Sequence, residues 1–401
     1  MKIGIVTTWF ERGAAYVSRQ FKEVLEQEHE VYIYARGGER YAIGDPIWDT
    51  KEVWWGKRRS SLFHATYIDK KDFLHWIKEK KIELIIFNEQ HWFMPLLWCK
   101  EVGVKTIAYI DYYTRATVPL FDIYDSLICN TKRHLSAFEN HKHAFYIPWG
   151  TNTELYARTS IDLVNENVVT FFHSAGMSGY RKGTDILLKA YLKSMQKGKL
   201  VIHTQRDLKS QFPELAIDID RLSSEGKLEL ITKTVTAPGL YYMGDIYVYP
   251  SRLEGIGLTI AESLSSGLGC IVPDNAPMNE FVTLECGVTV PIKKYFCRED
   301  GYYWPMCEAD VDKLALILDD CSMDLDKVRK MKSNARLYAE QELSQKVNFK
   351  ELLSVVEKTR FSKCGINLKK QVLEYSQNPY GKLGRCLEAT YTLVNSLRKT
   401  S

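Results

Sequence analysis

Two glutamates, eight residues apart, stand out as side chains that could do chemistry together. Glu254 lies on a loop after a β-branched run that ends at Pro250, and Glu262 lies in a helical pattern from about Leu258 to Gly267. The first backbone N–H groups of such a helix have no partner within it, so they suit a phosphate. Carboxylates on either side could accept hydrogen bonds from sugar hydroxyls. The segment indicates a site for a ligand with phosphate and hydroxyl groups; the alternative is a strand–loop–helix unit with two exposed glutamates.

Two series of short β-branched runs, each alternating with helical stretches, must position these residues. Such alternation predicts an α/β fold with right-handed crossovers and mostly parallel sheets, with a boundary near 150–167. Ligands of doubly wound sheets bind outside the carboxyl ends of the strands, so we expect the chemistry on the loops that follow them. The segment 310–361 is predicted to be helical, as is Val17–Leu25. The predicted strands are Ile3–Thr7, Val31–Ala35, Leu84–Asn88, Thr106–Ile110, Leu127–Asn130, Phe145–Pro148, Val168–His173, Leu200–Thr204, Leu228–Ile231, Ile246–Tyr249 and Cys270–Pro273.

The composition excludes several classes of protein. Of the 401 residues 45% are apolar and 26% are charged, which is near the globular average and argues against disorder. The net charge of +4 is concentrated in two basic segments, 51–81 and 362–401, so we expect no nucleic-acid partner. Nine cysteines without a C-x-x-C pair suit neither a zinc site nor a disulfide scaffold. With no apolar run of membrane-spanning length and no signal-peptide core, the expected location is the cytoplasm.

Common cofactor and metal motifs are absent from the sequence. There is no G-x-x-x-x-G-K-[ST], no G-x-G-x-x-G after the first strand and no H-E-x-x-H. The histidines at 134, 141 and 143 lack acidic or cysteine partners at metal spacing. The acidic pair Asp218 and Asp220 falls in a helical stretch rather than at a strand end. We therefore expect neither a metal ion nor a resident cofactor.

The segment around the two glutamates resembles the E-x7-E element of family 4 glycosyltransferases. The similarity extends over Met1 to about Phe361. The matching motifs are Trp149–Asn152 (the family's N-G-V-D turn), Arg181–Leu188 (its K-G-x-D-x-L-L segment), Gly244–Asp245 and Ser265–Val272. The resemblance implies a GT-B architecture, with two doubly wound Rossmann-like domains facing across a cleft and a helical C-terminal segment. It implies an acceptor-side domain over 1–155, a nucleotide-sugar domain over 156–340, and C-terminal helices with a basic tail over 341–401 that pack back on the first domain.

The resemblance also assigns roles in the second domain. Lys182 would contact the donor diphosphate, where negative charge grows as the sugar leaves. In the family an arginine directly follows the glycine equivalent to Gly176, whereas here Met177 does. Arg181 would then either reach the phosphates from a reshaped loop or point elsewhere; the alternative for both cations is a solvated pair at a helix start.

The remaining implied donor contacts lie in the E-x7-E element. Glu262 would bind the ribose hydroxyls of the nucleotide, and Glu254 would lie near the donor sugar. Ile256, Gly257 and Leu258 would supply backbone contacts to sugar and phosphate.

The first domain offers fewer matches to the family. Relatives often carry paired glycines in a loop near the diphosphate, and of this pair only Gly13 is present here. Many relatives place a histidine at the end of a first-domain strand, where it contacts the donor sugar. Here Asp111 occupies roughly that place and His91 follows the preceding strand, and the sequence does not choose between them.

The basic segment 51–81 carries Trp54, Trp55 and Trp76 among its cations. The run from Trp54 to Arg59 combines interface-seeking rings with Lys57, Arg58 and Arg59, which suits an anionic membrane surface on the cytoplasmic side. The alternative is a solvated loop that covers a sheet edge.

These observations together predict a retaining glycosyltransferase of hexosyltransferase type. The donor would be a nucleotide sugar, of UDP or GDP type, and the acceptor a hydroxyl of a glycan, lipid-linked or protein-linked molecule in cell-surface polysaccharide, glycolipid or glycoprotein assembly. Two alternatives stay open. One is a non-catalytic subunit of the same fold that supports a partner transferase, and the other is a glycoside hydrolase that uses Glu254 and Glu262 as its acid and base.

Overall fold

The computed structural model describes residues 1–36, 41–57, 61, 64, 66–157, 162–377, 383, 384, 386, 387 and 389–391. The chain divides into two compact units. Unit 1 comprises Met1–Asn130, His134–Ile147 and Phe349–Ser401, and unit 2 comprises Thr131–Arg133 and Pro148–Asn348.

Each unit is built around one parallel sheet. Unit 1 has seven strands in the order β3-β2-β1-β4-β5-β6-β7, and unit 2 has six in the order β10-β9-β8-β11-β12-β13; β14 and β15 form a separate antiparallel pair. The strands are β1 Lys2–Thr7, β2 Glu30–Ala35, β3 Val53–Trp55, β4 Leu84–Asn88, β5 Lys105–Tyr109, β6 Ser126–Cys129, β7 Ala144–Tyr146, β8 Thr170–Gly176, β9 Lys199–Thr204, β10 Leu228–Thr232, β11 Ile246–Val248, β12 Gly269–Pro273, β13 Gly287–Val290, β14 Ile292–Phe296 and β15 Met306–Ala309.

Helices follow most strands and bury one face each. In the first helix Val17, Phe21 and Leu25 are buried at a spacing of four residues, which places them on one stripe. The helices are α1 Gly13–Leu25, α2 Lys70–Lys80, α3 Met94–Val102, α4 Lys132–Ala137, α5 Gly179–Lys182, α6 Thr184–Lys193, α7 Leu208–Gln211, α8 Ala216–Ser224, α9 Leu258–Ser265, α10 Val311–Met323, α11 Leu325–Glu342, α12 Gln345–Asn348, α13 Lys350–Lys358 and α14 Ile366–Ser376; short 3₁₀ turns cover Val118–Ile123, Pro213–Leu215, Tyr241–Met243 and Met278–Phe281. No helix within the described ranges is long and apolar enough to cross a membrane.

The predicted strands are confirmed, most of them within one or two residues at each end. β4 has the predicted bounds, because a parallel strand buried on both faces is a continuous apolar run, and all five of its residues are buried. The helical segment predicted from 310 to 361 is also confirmed and contains four helices. Three features were not predicted: the three-residue strand β3, the edge strand β13 and the β14–β15 hairpin. β14 has no hydrophobic pattern typical of a strand, because Lys293, Lys294 and Tyr295 are exposed among its five residues.

The described residues that follow Phe349 pack within unit 1. Phe349 meets Phe21 edge to face at 5.3 Å, and Tyr375 meets Phe93 in the same way at 5.8 Å. The Thr359 hydroxyl is 2.9 Å from that of Ser126. These contacts attach α13 to α1 and β6, and α14 to the start of α3.

The tryptophans of the basic segment have different environments. Trp76 is fully buried in the core of unit 1, so its ring takes part in packing. Trp54 and Trp55 are half-buried, and their indole N–H groups donate to Asp72 at 3.3 Å and to Asp49 at 2.7 Å. Arg58 and Arg59 lie outside the described residues. Membrane association therefore stays a prediction, and of its described residues only Trp54, Trp55 and Lys57 could take part.

Candidate functional site

A loop at the carboxyl edge of the second sheet carries the first glutamate of the pair. The chain leaves β11 at Tyr249, crosses residues 250–257 and enters α9 at Leu258. Arg252 fixes this loop, because its guanidinium binds both carboxylate oxygens of Asp185 at 2.7 and 2.8 Å and lies 3.9 Å from the centre of the Tyr180 ring. All of Arg252 is buried. The loop is thereby clamped to the start of α6 and to α5.

Gly183 lets the turn between α5 and α6 approach the loop that carries Glu254. It joins α5 to α6 in the left-handed region with φ +71°, which a side chain disfavours. A Cβ atom there would lie 1.9 Å from the carbonyl oxygen of Pro250. The glycine therefore sets Arg181 and Lys182, just before it, against the loop that carries Glu254.

Four donors converge on one carboxylate oxygen of Glu254. Lys182 Nζ and Arg181 Nη1 each lie 2.8 Å from Oε1. The Tyr249 hydroxyl donates to the same oxygen at 2.8 Å, and the Ser251 hydroxyl does so at 2.7 Å. Arg181 also donates to the carbonyl oxygen of Leu253 at 2.9 Å. Two residues that the sequence placed in the site, 72 and 73 positions from Glu254, are thus brought to it directly.

The charges of the cluster keep Glu254 ionised. Burial by itself would raise the pKa of this carboxyl, but the charges of Lys182 and Arg181 outweigh burial and lower the pKa to about 2. Burial lowers the pKa of Lys182, and the nearby Glu254 carboxylate opposes this shift. Two cations and one carboxylate leave a net charge of +1, which favours an anionic ligand.

The second glutamate lies one helical turn into α9. Its Oε2 accepts a hydrogen bond from the Tyr241 hydroxyl at 2.7 Å. Burial raises the pKa of Glu262, and the hydrogen bond from Tyr241 and the charge of Lys182 oppose this shift. Gly257 precedes the helix with φ +94°, and its neighbour Ile256 is buried. The structure therefore brings together Arg181, Lys182, Glu254, Ile256, Gly257, Leu258 and Glu262 at one edge of the second sheet.

The candidates in unit 1 also gather at the carboxyl edge of their sheet. His91 and Asp111, which the sequence offered as alternatives, follow the adjacent strands β4 and β5, and His91 Nε2 lies 3.3 Å from Asp111 Oδ2. Gly13 begins α1 beside Arg12, whose guanidinium is 3.5 Å from Glu89. The two side chains therefore form one polar pair at this edge of the sheet.

Glu89 was missed by the sequence analysis. Its backbone has φ +53°, an uncommon value for a residue with a side chain and one that often marks a functional position. Buried Arg36 holds it there by donating to its carbonyl oxygen at 2.5 Å and to that of Asn88 at 3.1 Å. Burial and the charge of Asp111 raise the pKa of Glu89. Its position directly after β4 was the available signal.

Tyr249, Ser251 and Tyr241 were missed as well. The first two lie in the motif that drew attention to Glu254, but nothing in their types showed that both hydroxyls point to that carboxylate. Among the described residues there is no group of three or more His, Cys, Asp or Glu side chains that could hold a metal ion.

The sequence of unit 2 matches a known family. Residues 167–295 match the family model of the Glycosyl transferases group 1. The matched segment contains every residue gathered in unit 2 from Arg181 to Glu262. No curated protein matches the chain as a whole at a significant level.

Three solved structures with similar folds are distant from this chain in sequence. HepE from Anabaena, in complex with UDP-glucose, is 15% identical with a TM-score of 0.65, over 89% of this chain and 99% of that one. The pneumococcal O-GlcNAc transferase GtfA, in complex with UDP and GlcNAc, is 11% identical with a TM-score of 0.64, over 89% and 99%. WaaG, a glycosyltransferase involved in lipopolysaccharide biosynthesis, is 13% identical with a TM-score of 0.59, over 88% and 99%. At this identity the similarity concerns the fold, and it confirms the predicted GT-B class of two Rossmann-like domains with a helical C-terminal part.

Proposed function

We propose that this protein is a retaining glycosyltransferase that moves a hexosyl group from a nucleoside diphosphate sugar to a hydroxyl acceptor. The observation that carries the proposal is the cluster of Arg181, Lys182 and Glu254 inside the segment that matches the group 1 glycosyl transferases. A net positive charge at strand ends, next to carboxylates that can accept hydroxyl hydrogen bonds, suits a ligand that is both a diphosphate and a sugar.

The donor is proposed to lie along the carboxyl edge of the second sheet. Lys182 faces the diphosphate, with Arg181 as a second cation. The amides of Gly257 and Leu258, at the start of α9, add N–H donors and the positive end of the helix dipole. Ile256 contributes a backbone contact to the sugar. Glu262, held by Tyr241 at 2.7 Å, accepts from the ribose hydroxyls.

The proposed reaction exchanges one bond at the anomeric carbon. The bond to the diphosphate oxygen breaks, and a bond to the acceptor oxygen forms on the same face of the sugar. The acceptor hydroxyl loses its proton to an oxygen of the departing diphosphate. Negative charge therefore grows on the leaving group, and the preorganised ammonium of Lys182 stabilises it.

The acceptor is proposed to bind unit 1 at the polar edge of its sheet. His91 and Asp111 can together donate to and accept from hydroxyl groups, and the nucleotide-sugar contact expected of Gly13 stays a prediction. A glycan, lipid-linked or protein-linked hydroxyl is the proposed acceptor, in the assembly of a surface polysaccharide, glycolipid or glycoprotein. The descriptions of WaaG and GtfA support these classes by analogy of fold.

A nucleotide screen tests the donor assignment. We expect UDP or GDP to raise the melting temperature more than ADP, CDP or dTDP, and UDP is favoured because HepE and GtfA are described with it. A ligand at 100 times its Kd stabilises the folded state by about 2.7 kcal/mol. The purified chain alone should then release the nucleoside diphosphate from the matching sugar donor. Cleavage of a simple glycoside without nucleotide would instead indicate a hydrolase, and absence of any nucleotide effect would contradict the proposal.

We also propose that catalysis needs no metal ion. Lys182, Arg181 and the start of α9 supply the positive charge that a divalent cation would otherwise bring to the diphosphate. Turnover should therefore survive dialysis against EDTA with less than about a twofold change, since charge stabilisation comes from fixed protein groups. Complete loss of activity that Mn²⁺ or Mg²⁺ restores would show that the phosphate site is wrongly assigned.

A further inference from the structure

The hydroxyl group of Tyr249 lies between the two charged groups at the centre of the site. It donates to Glu254 Oε1 at 2.8 Å and also contacts Lys182 Nζ, which sits 4.7 Å from the centre of the Tyr249 ring. The ring is fully buried and stacks on that of Tyr247 at 5.1 Å between centres. A buried, stacked ring has one orientation, so its hydroxyl is held in place before any ligand arrives.

The donors on Glu254 Oε1 are of two kinds. Lys182 and Arg181 are cations, which a diphosphate can attract away from the carboxylate. The hydroxyls of Tyr249 and Ser251 are neutral, and both are fixed to buried backbone next to the carboxylate. Among the described residues no donor is found for the other oxygen, Oε2, which leaves it available to a hydroxyl of a ligand.

Movement of Lys182 to a phosphate takes a charged partner from the Glu254 carboxylate, and the hydroxyl donors can compensate for this loss. A buried carboxylate that loses a charged partner is strongly destabilised unless other donors satisfy it. Glu254 is 8% exposed, so water gives little compensation. The hydroxyls of Tyr249 and Ser251, if they stay on Oε1 during the exchange, lower its cost.

We propose that Tyr249 is a positioning residue that holds the Glu254 carboxylate while Lys182 transfers from it to the donor diphosphate, leaving Oε2 to accept from a hydroxyl of the donor sugar. The proposal rests on the phosphate role given to Lys182 above. In this proposal the Tyr249 hydroxyl acts through Glu254 and Lys182 rather than on the reacting bond.

Removal of the Tyr249 hydroxyl oxygen tests the proposal. In Tyr249→Phe the carboxylate depends more on Lys182, so the lysine is released less readily. We expect the affinity for inorganic pyrophosphate, measured by isothermal titration calorimetry, to fall roughly tenfold, the scale of one hydrogen bond to a charged group. Tyr247→Phe is the matched control, because its ring lies two residues earlier and is equally buried, but its hydroxyl makes no hydrogen bond to Glu254. The pyrophosphate affinity of this variant should equal that of the native protein.

A double-mutant cycle separates positioning from a general structural role. In the Glu254→Gln background there is no carboxylate to compensate, so adding Tyr249→Phe should change pyrophosphate affinity less than twofold. Ser251→Ala removes the other hydroxyl from the same oxygen and should weaken binding in the same direction, which provides a second variant if Tyr249→Phe folds poorly. Native affinity in Tyr249→Phe, an equal loss in both backgrounds, or no pyrophosphate binding by the native protein would each overturn the proposal.

Pyrophosphate also keeps this test separate from that of the proposed function. Pyrophosphate carries neither base nor sugar, so its binding reports only the transfer of Lys182 from Glu254 to a phosphate. If the native protein binds pyrophosphate with the expected pattern among the variants but turns over no nucleotide sugar, the role of Tyr249 stands and the proposed transferase activity fails.

Discussion

Lys182→Ala is expected to lower kcat by about 10²-fold or more, the usual effect of losing one preorganised group that stabilises charge in the transition state. The lysine side chain is 14% exposed beside Glu254 and Tyr249, so water screens its charge weakly. Its interaction with the leaving group strengthens as the sugar–phosphate bond breaks, so its loss acts on the chemical step. Steady-state kinetics with the donor found in the nucleotide screen measure this change.

Two variants make the Lys182 experiment selective. Lys193→Ala removes an exposed lysine from α6, eleven residues after Lys182, and should leave kcat and KM unchanged. Glu262→Ala removes proposed ribose contacts that are equal in ground state and transition state, so it should raise the donor KM with a smaller change in kcat. A Lys182→Ala enzyme with near-native kcat would show that the diphosphate lies elsewhere. Loss of kcat in Glu262→Ala with unchanged donor KM would indicate that the two glutamates have exchanged roles.

The pH profile offers a second readout for the same lysine. Lys182 must be protonated to stabilise the diphosphate, and burial lowers its pKa. The alkaline decline of kcat/KM, which reports the free enzyme, should therefore begin at lower pH than an ordinary lysine would give. Lys182→Arg should move this decline to higher pH, because a guanidinium stays protonated.

The predictability of the fold follows from where its strands are buried. β4 and β12 are buried at every position, and such strands are continuous apolar runs that the sequence displays directly. β3 has three half-buried residues and β14 is mostly exposed, so neither has a hydrophobic pattern to reveal it. What holds these two strands is pairing with a neighbour, which lies in tertiary structure.

The site, like the fold, has residues that the sequence reveals and residues that only the tertiary structure reveals. The glycine-bearing loop and the two glutamates were visible because a strand, a loop and a helix start follow one another in the sequence. Arg181 was left open, since only the approach of the Gly183 turn to Pro250 decides that its guanidinium reaches Glu254. Tyr249 looked like the last residue of a strand. The direction of its hydroxyl depends on contacts with a lysine 67 residues away, which no local pattern encodes.

Lys332→Met is expected to destabilise unit 2 by about 3–5 kcal/mol, the cost of leaving a buried charge without its partner. Lys332 on α11 and Asp245 before β11 are both completely buried, and the ammonium lies 3.0 Å from Oδ1. The same carboxylate accepts from the backbone N–H groups of Val164 and Thr170 at 2.9 and 2.8 Å. It therefore joins a helix, a loop and a strand end, and it cannot turn to water when the lysine is removed.

Equilibrium unfolding in urea, followed by circular dichroism and fitted with a separate transition for each unit, measures this loss. Lys330→Met changes an exposed lysine on the same helix and should alter the stability of unit 2 by less than about 0.5 kcal/mol. Adding Asp245→Asn to Lys332→Met removes the orphaned charge, so the double variant should be less destabilised than the sum of the two single changes. Additive losses would show that the two side chains stabilise unit 2 independently, through packing rather than through their ion pair.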